Sequence, residues 1–139
     1  MLPRKIHWKV LLDLADLAKR ESKFYEARIL FKMITRLQPM AYQGWLEHAK
    51  MEEECGNVNR CRRLLLVGLK FSPFNENLFI KAIKLEEKLG NIGMVRKLLA
   101  TLKDAPLHKT WKLLLEGALF EGRIGNHKES RLVFYFLTS

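Results

Sequence analysis

Two cysteines, four prolines and eight glycines among 139 residues leave this chain few of the devices on which disulfide-stapled, collagen-like or low-complexity proteins depend. Cys55 and Cys61 stand six apart, a spacing that makes neither a Cys-x-x-Cys redox pair nor half of a zinc site. Both read as free buried thiols of a reducing compartment. The chain needs no staples, because one of this length buries roughly two thirds of the surface its unfolded form exposes. Long apolar runs are missing too. The longest clean one, Leu64 to Leu69, falls far short of the roughly 18 residues of a membrane helix, so no membrane span is expected. The first nine residues pass straight into helical periodicity without an apolar segment and cleavage site, so no secretory signal is expected either.

Catalytic signatures are absent: the chain has no G-x-S-x-G, no H-E-x-x-H, no Walker glycine run and no G-x-G-x-x-G. Its glycines read as helix ends instead. His7, His48, His108 and His127 fall at unrelated positions, none with a second ligand at a metal-binding spacing. No enzymatic activity, metal or cofactor is expected. Val and Ile never alternate with polar residues over the length of a strand, which leaves strands no place. Acid is in deficit: 15 Asp and Glu face 25 Lys and Arg, a net +10 that favours polyanions or acidic protein surfaces by long-range attraction.

What the chain has is repetition. Residues 53–65 (EECGNVNRCRRLL) align without gaps on residues 87–99 (EKLGNIGMVRKLL), an offset of 34. Gly56-Asn57 recurs as Gly90-Asn91, as Gly125-Asn126 and degenerately as Ser22-Lys23. Six residues after each mark stands an arginine: Arg28, Arg62, Arg96 and Arg131. Seven residues before the marks lie Ala15, Ala49, Ile83 and Ala118, and eleven before them Leu11, Trp45, Phe79 and Leu114. Pro39 and Pro73 close the first two units, and Pro106 comes one place early in the third.

Each unit thus holds two stretches of helical spacing, separated by a Gly-Asn break and closed by proline. Gly56 and Gly90 suit the left-handed residue that ends a helix. The expected fold is all-α: a right-handed superhelical solenoid of about four helix-turn-helix units at about 8–39, 42–73, 76–107 and 111–139, forming one array over 1–139. One such hairpin cannot shelter its own apolar face, so neighbours must share a core. Small residues twelve apart, Ala49 and Cys61, are where the two helices of a hairpin are expected to approach closely.

The run from Trp45 through Ala49 and Glu52, then Gly56-Asn57, Cys61-Arg62 and Pro73, resembles the HAT (half-a-TPR) motif, over nearly the whole chain. Plain tetratricopeptide (TPR) repeats share the period but usually place an aromatic where this sequence has Glu52, Glu86 and Glu121. The first unit departs from the pattern with Ala18 for the glutamate and Ser22 for the glycine, the third with Ile83 for the small residue, the fourth with Leu114 for the aromatic. The resemblance implies a non-catalytic protein-interaction scaffold in splicing, pre-mRNA 3′-end cleavage or ribosomal RNA maturation, nuclear, with the cytoplasm or an organelle as alternatives, whose partners are other proteins of such a complex. Direct RNA binding along a basic helix face and short-peptide binding of TPR type stand as alternatives.

Glu52, Glu86 and Glu121 precede Arg62, Arg96 and Arg131 by ten residues, a spacing that predicts a structural ion pair within each hairpin, across its turn. First helices line the groove of helical-hairpin arrays, which places Gln43, Leu46, Glu47, Lys50 and Glu53 there, with their counterparts Lys9, Leu12, Asp13, Asp16, Lys19, Asn77, Ile80, Lys81, Lys84, Glu87, Lys112, Leu115 and Glu116. Recurrent lysines (Lys9, Lys19, Lys50, Lys81, Lys84 and Lys112) suit an acidic peptide or a phosphate backbone, and equally an ordinary solvated face. Trp8, Trp45 and Trp111 are expected in the core, unavailable for base stacking. Leu132 to Leu137 closes a second helix with nothing to cover it, so either a longer array or a second copy of the chain is expected there.

Overall fold

The computed structural model describes residues 7–103 and 105–125. Every regular element among them is an α-helix: α1 (Trp8–Arg20), α2 (Phe24–Leu37), α3 (Tyr42–Glu54), α4 (Val58–Phe71), α5 (Glu76–Lys88), α6 (Ile92–Ala100) and α7 (Leu107–Arg123). None of them is long and apolar enough to cross a membrane. The expected all-α repeat fold is present. Arg131, His127 and the apolar stretch 132–137 lie outside the described residues.

The turns obey one local rule. Gly56, Gly90 and Gly125 take positive φ of 83°, 81° and 89°, the left-handed conformation in which a Cβ is penalised. Beyond this residue the chain folds back: the Asn57 amide donates to Glu52 O at 2.8 Å, and the Asn91 amide to Glu86 O at 2.8 Å. The first unit keeps the geometry without the glycine. Ser22 has φ of 61°, and Lys23 N–H donates to Ala18 O at 2.8 Å. An L-residue held there is strained by about 1–2 kcal/mol. Ser22→Gly is therefore expected to raise the denaturant midpoint by up to about 1 kcal/mol, after glycine's own entropy cost. Gly56→Ala, although nothing lies within 4 Å of the added Cβ, should lower it by about 1 kcal/mol.

The chain divides into two compact units, Met1–Leu78 and Phe79–Ser139, with the boundary inside α5. In the first, α1 packs on α2, α3 on α4, and α2 on α3. Its core joins Leu11, Ala15 and Ala18 of α1, Ala27, Phe31 and Ile34 of α2, and Met51 of α3, so the second hairpin completes the interior of the first. That is the shared core that hairpins of this size require. Ala49 and Cys61 are both fully buried, while Cys55 is half-buried.

Glycines stand inside helices as well, not only at helix ends as expected, and Gly44 and Gly68 tighten these crossings. The correction concerns Gly44 in α3, Gly68 in α4, Gly93 in α6, and Gly117 and Gly122 in α7. A Cβ on Gly44 would stand 2.8 Å from Ile34 Cγ2, and one on Gly68 2.9 Å from Trp45 Cβ. Trp45 cannot easily give way. Its Nε1 donates to Pro39 O at 2.9 Å and its ring stacks on Phe71 at 5.8 Å, tying the second hairpin to the proline that closes the first. Gly68→Ala should cost about 1–2 kcal/mol in chemical denaturation even though alanine favours the helix. Ala49→Leu should cost about 1–3 kcal/mol in the same measurement.

In the second unit Phe79, Ala82, Ile83, Leu85, Val95, Leu98, Leu102, Leu113, Ala118 and Phe120 are buried. A Cβ on Gly117 would stand 2.9 Å from Leu99 Cδ2, so α6 and α7 also meet at a glycine. Helix α6 stops at Ala100, well before Pro106, because Thr101 Oγ1 takes the Leu98 carbonyl at 2.6 Å and the next amides bond three residues back.

Candidate functional site

The strongest constellation begins with Glu52, a carboxylate with 1% of its surface exposed. Helix α3 puts it one turn beyond His48, on the side that meets α2. Arg28 of α2 donates to it through Nε at 3.0 Å and Nη2 at 3.0 Å, Asn57 Nδ2 at 3.4 Å, and Arg60 Nη1 of α4 at 3.5 Å. Asn57 is the first residue before α4, yet its side chain leaves the helix N-terminus uncapped and turns to Glu52 instead.

The ion pair is therefore drawn differently from the sequence expectation. Glu52 takes the arginine 24 residues behind it, in the preceding hairpin, and not Arg62 ten residues ahead. The second unit repeats this: Arg96 Nε donates to Glu121 Oε1 at 3.4 Å, 25 residues on. The physical reason is the turn. Its asparagine fills the space between a hairpin's own acid and its second helix, as Asn91 Nδ2 does at 2.8 Å from Glu86 Oε2. The arginine then projects toward the acid of the next hairpin. Arg28 and Arg96 thus have like surroundings, each clasping the following repeat. Arg62 and Glu86 also have partners of their own.

Burial raises the proton affinity of Glu52, but the hydrogen bonds from Arg28 and Asn57 and the Arg28 charge outweigh it, holding its pKa below the usual carboxylate value of 4.5. The hydrogen bond to Glu52 raises the proton affinity of Arg28 above that of an ordinary guanidinium, against some desolvation. His48, 6% exposed, lies parallel to Phe31 with ring centroids 5.2 Å apart. Burial lowers its pKa to about 4; Glu52 opposes this, while Arg28, Lys32 and Arg60 add to it. Its Nε2 stands 3.9 Å from Glu52 Oε2, beyond hydrogen-bond reach. An imidazole neutral at pH 7, with its carboxylate neighbour committed to two arginines, is arranged to fix packing and not to transfer protons.

Two clefts of opposite charge flank this network. Between the second helices of the two hairpins, a cleft of about 410 Å³ is lined by Arg28, Lys32, His48, Glu52, Arg60, Arg63, Leu64 and Val67. Between the first helices, one of about 210 Å³ is lined by Leu12, Asp13, Asp16, Lys19, Phe31, Gln43 and Glu47. The second is the position where the sequence placed its groove, and in this unit its wall carries three acids against one lysine. Lys19 pairs with Glu54 at 3.4 Å and Lys50 with Glu47 at 3.5 Å. Lys9 lies exposed 5.8 Å from the Trp8 ring, Lys84 is exposed and Lys81 half-buried. Lys112 stands 5.4 Å from the ring of Trp111, which is 45% exposed and not in the core as expected. Leu114 holds the repeat's aromatic position, and Trp111, a turn earlier, faces out. In the second unit Arg123 bridges first helices, 2.9 Å from Glu87 Oε2 and 3.5 Å from Glu116.

Charge is partitioned by helix. The second helices α2, α4 and α6 carry nine Lys and Arg against one acid, Glu26, whereas α1, α3, α5 and α7 carry ten against eleven. Reading charge along the whole chain hid this; sorting it by helix would have exposed it.

A family model described as the PRP6 TPR-like domain matches residues 1–139. The chain belongs to that family. A TPR-containing protein of Dictyostelium discoideum is 47% identical over 137 residues, which cover 99% of this chain and 10% of that protein. The chain thus spans about a tenth of that relative's length. Membership of the PRP6 TPR-like family agrees with the resemblance seen in the Glu, Gly-Asn and Arg positions. The arginine clasp between hairpins gives those positions their structural meaning in this chain.

Proposed function

We propose that this PRP6 TPR-like chain is a non-catalytic protein-interaction scaffold of a nuclear RNA-processing assembly, within a single repeat array over 1–139. The supporting observation is the Arg28–Glu52–Asn57 clasp. It commits a buried, charge-shifted constellation to joining hairpins and leaves clefts of opposite charge on either side of the joint. A rigid joint between two chemically distinct surfaces suits the assembly of several partners. Affinity capture with the tagged chain at moderate salt, with and without nuclease, tests this: protein partners should remain after nuclease treatment.

Direct RNA contact is the second reading, favoured by the nine cations on α2, α4 and α6. Loss of all partners on nuclease treatment would select it. Binding to a single-stranded RNA would then fall with salt at a log–log slope of about −0.7 per phosphate contacted, while an apolar-anchored protein partner would hold.

A further inference from the structure

Resting on the scaffold reading above, we infer that the cleft between α2 and α4 is a docking site for an acidic, extended segment of a partner protein, its carboxylates taken by Lys32, Arg60 and Arg63 and an apolar side chain by Leu64 and Val67. The cleft is built, not incidental. Residues 60, 63, 64 and 67 follow the i, i+3, i+4, i+7 spacing and form one stripe of α4; Arg28 and Lys32, four apart, form the opposing stripe of α2. His48 and Glu52, four apart on α3, make the floor.

The charge accounting inside the cleft leaves a surplus. Arg28 and Glu52 neutralise one another, and His48 is neutral at pH 7, so Lys32, Arg60 and Arg63 are in excess. Arg60 reaches Glu52 only at 3.5 Å with more than half its side chain exposed. Lys32 and Arg63 are exposed and have no acidic partner among the described residues. Three cations beside the aliphatic side chains of Leu64 and Val67 complement a segment that alternates acid with an apolar residue.

A protein segment fits better than RNA. The aromatic ring in the lining, His48, is buried at 6% exposure with one face on Phe31, so it offers no open face on which a base could stack. Leu64 and Val67 share the α4 wall with Arg60 and Arg63 and give a nucleotide chain no polar partner there. The buried Glu52 also sits in the floor, where a phosphodiester backbone would be repelled at closest approach.

Selection of a displayed random dodecapeptide library against the full chain tests this, with counter-selection on the Lys32→Glu/Arg63→Glu variant. Both substituted side chains are exposed and unpaired, and circular dichroism and thermal unfolding should match the wild type. A Lys88→Glu/Lys109→Glu variant makes the same net-charge change at exposed positions elsewhere. The expected consensus combines Asp or Glu with Leu, Ile or Val. Its synthetic peptide should lose about tenfold or more in affinity for the cleft variant and about twofold or less for the control. Leu64→Ser should weaken it as well. No enrichment, a consensus without acids, or equal losses in the two variants would overturn the inference. So would a dodecamer of oligouridylate that binds more tightly than the peptide and is lost with the cleft variant. Partners captured from extract equally by the wild type and the cleft variant would remove this docking site and leave the scaffold reading standing.

Discussion

Glu52→Gln is expected to destabilise the protein by about 2–4 kcal/mol, read from the shift of the urea midpoint. Removing one partner of a buried ion pair typically costs about 3–5 kcal/mol, because the other charge is left without compensation. Arg28 keeps 27% of its side chain exposed, so water recovers part of that cost. The amide can still accept from Asn57, but it cannot balance Arg28 and Arg60, which would face Lys32 and Arg63 across one cleft. A double replacement, Arg28→Met with Glu52→Leu, should recover much of the loss, since well-packed apolar side chains often equal a buried pair. Glu121→Gln should cost less, because its bond from Arg96 is longer at 3.4 Å and Arg96 is 53% exposed. A loss below about 0.5 kcal/mol for Glu52→Gln, the scale of an ordinary surface change, would refute the clasp as the joint between hairpins.

The second large effect is a loss of stability in mild acid. The unfolded chain protonates His48 near 6.5, whereas the folded protein resists until about 4. Between these values the unfolded state binds more protons, so stability falls as pH falls through the window and is unaffected by His48 above it. A difference of this size corresponds to about 3 kcal/mol by pH 4. Glu52 acts in a separate, lower window: its depressed pKa contributes stability above 4.5 that is lost as pH falls through its folded value. Urea unfolding at a series of pH values should therefore show a decline that starts near 6.5 and steepens below 4.5. His48→Gln should flatten the first part and leave the second. An unchanged slope between 6.5 and 4.5 in that variant would mean that other groups carry the effect.

The fold was open to sequence reading because each repeat spells its own turn. A left-handed residue followed by a polar one, at a fixed spacing from small and large apolar positions, is a local signal that four units repeat. Even Ser22, chemically unlike glycine, was legible by register, and its φ of 61° accords with the register. The prolines and Trp45 were read as separate marks, although the indole N–H to the Pro39 carbonyl makes them one contact. Gly44, Gly68 and Gly117 gave no signal, because nothing local distinguishes a glycine that a neighbouring helix crowds from one that merely tolerates its place.

Periodicity, turn chemistry and the unit of about 34 residues belong to the sequence alone: they are set by which residues end a helix and which faces must be hidden, and both are decided within one hairpin. Which arginine meets which glutamate, and on which side of the joint positive charge collects, are settled between hairpins. Spacing along the chain marked the acids and bases but assigned Glu52 and Arg96 to the wrong partners, since a side chain's reach across a turn depends on what already fills that turn. Here Asn57 does, and Arg28 of the preceding hairpin takes Glu52 from the other side.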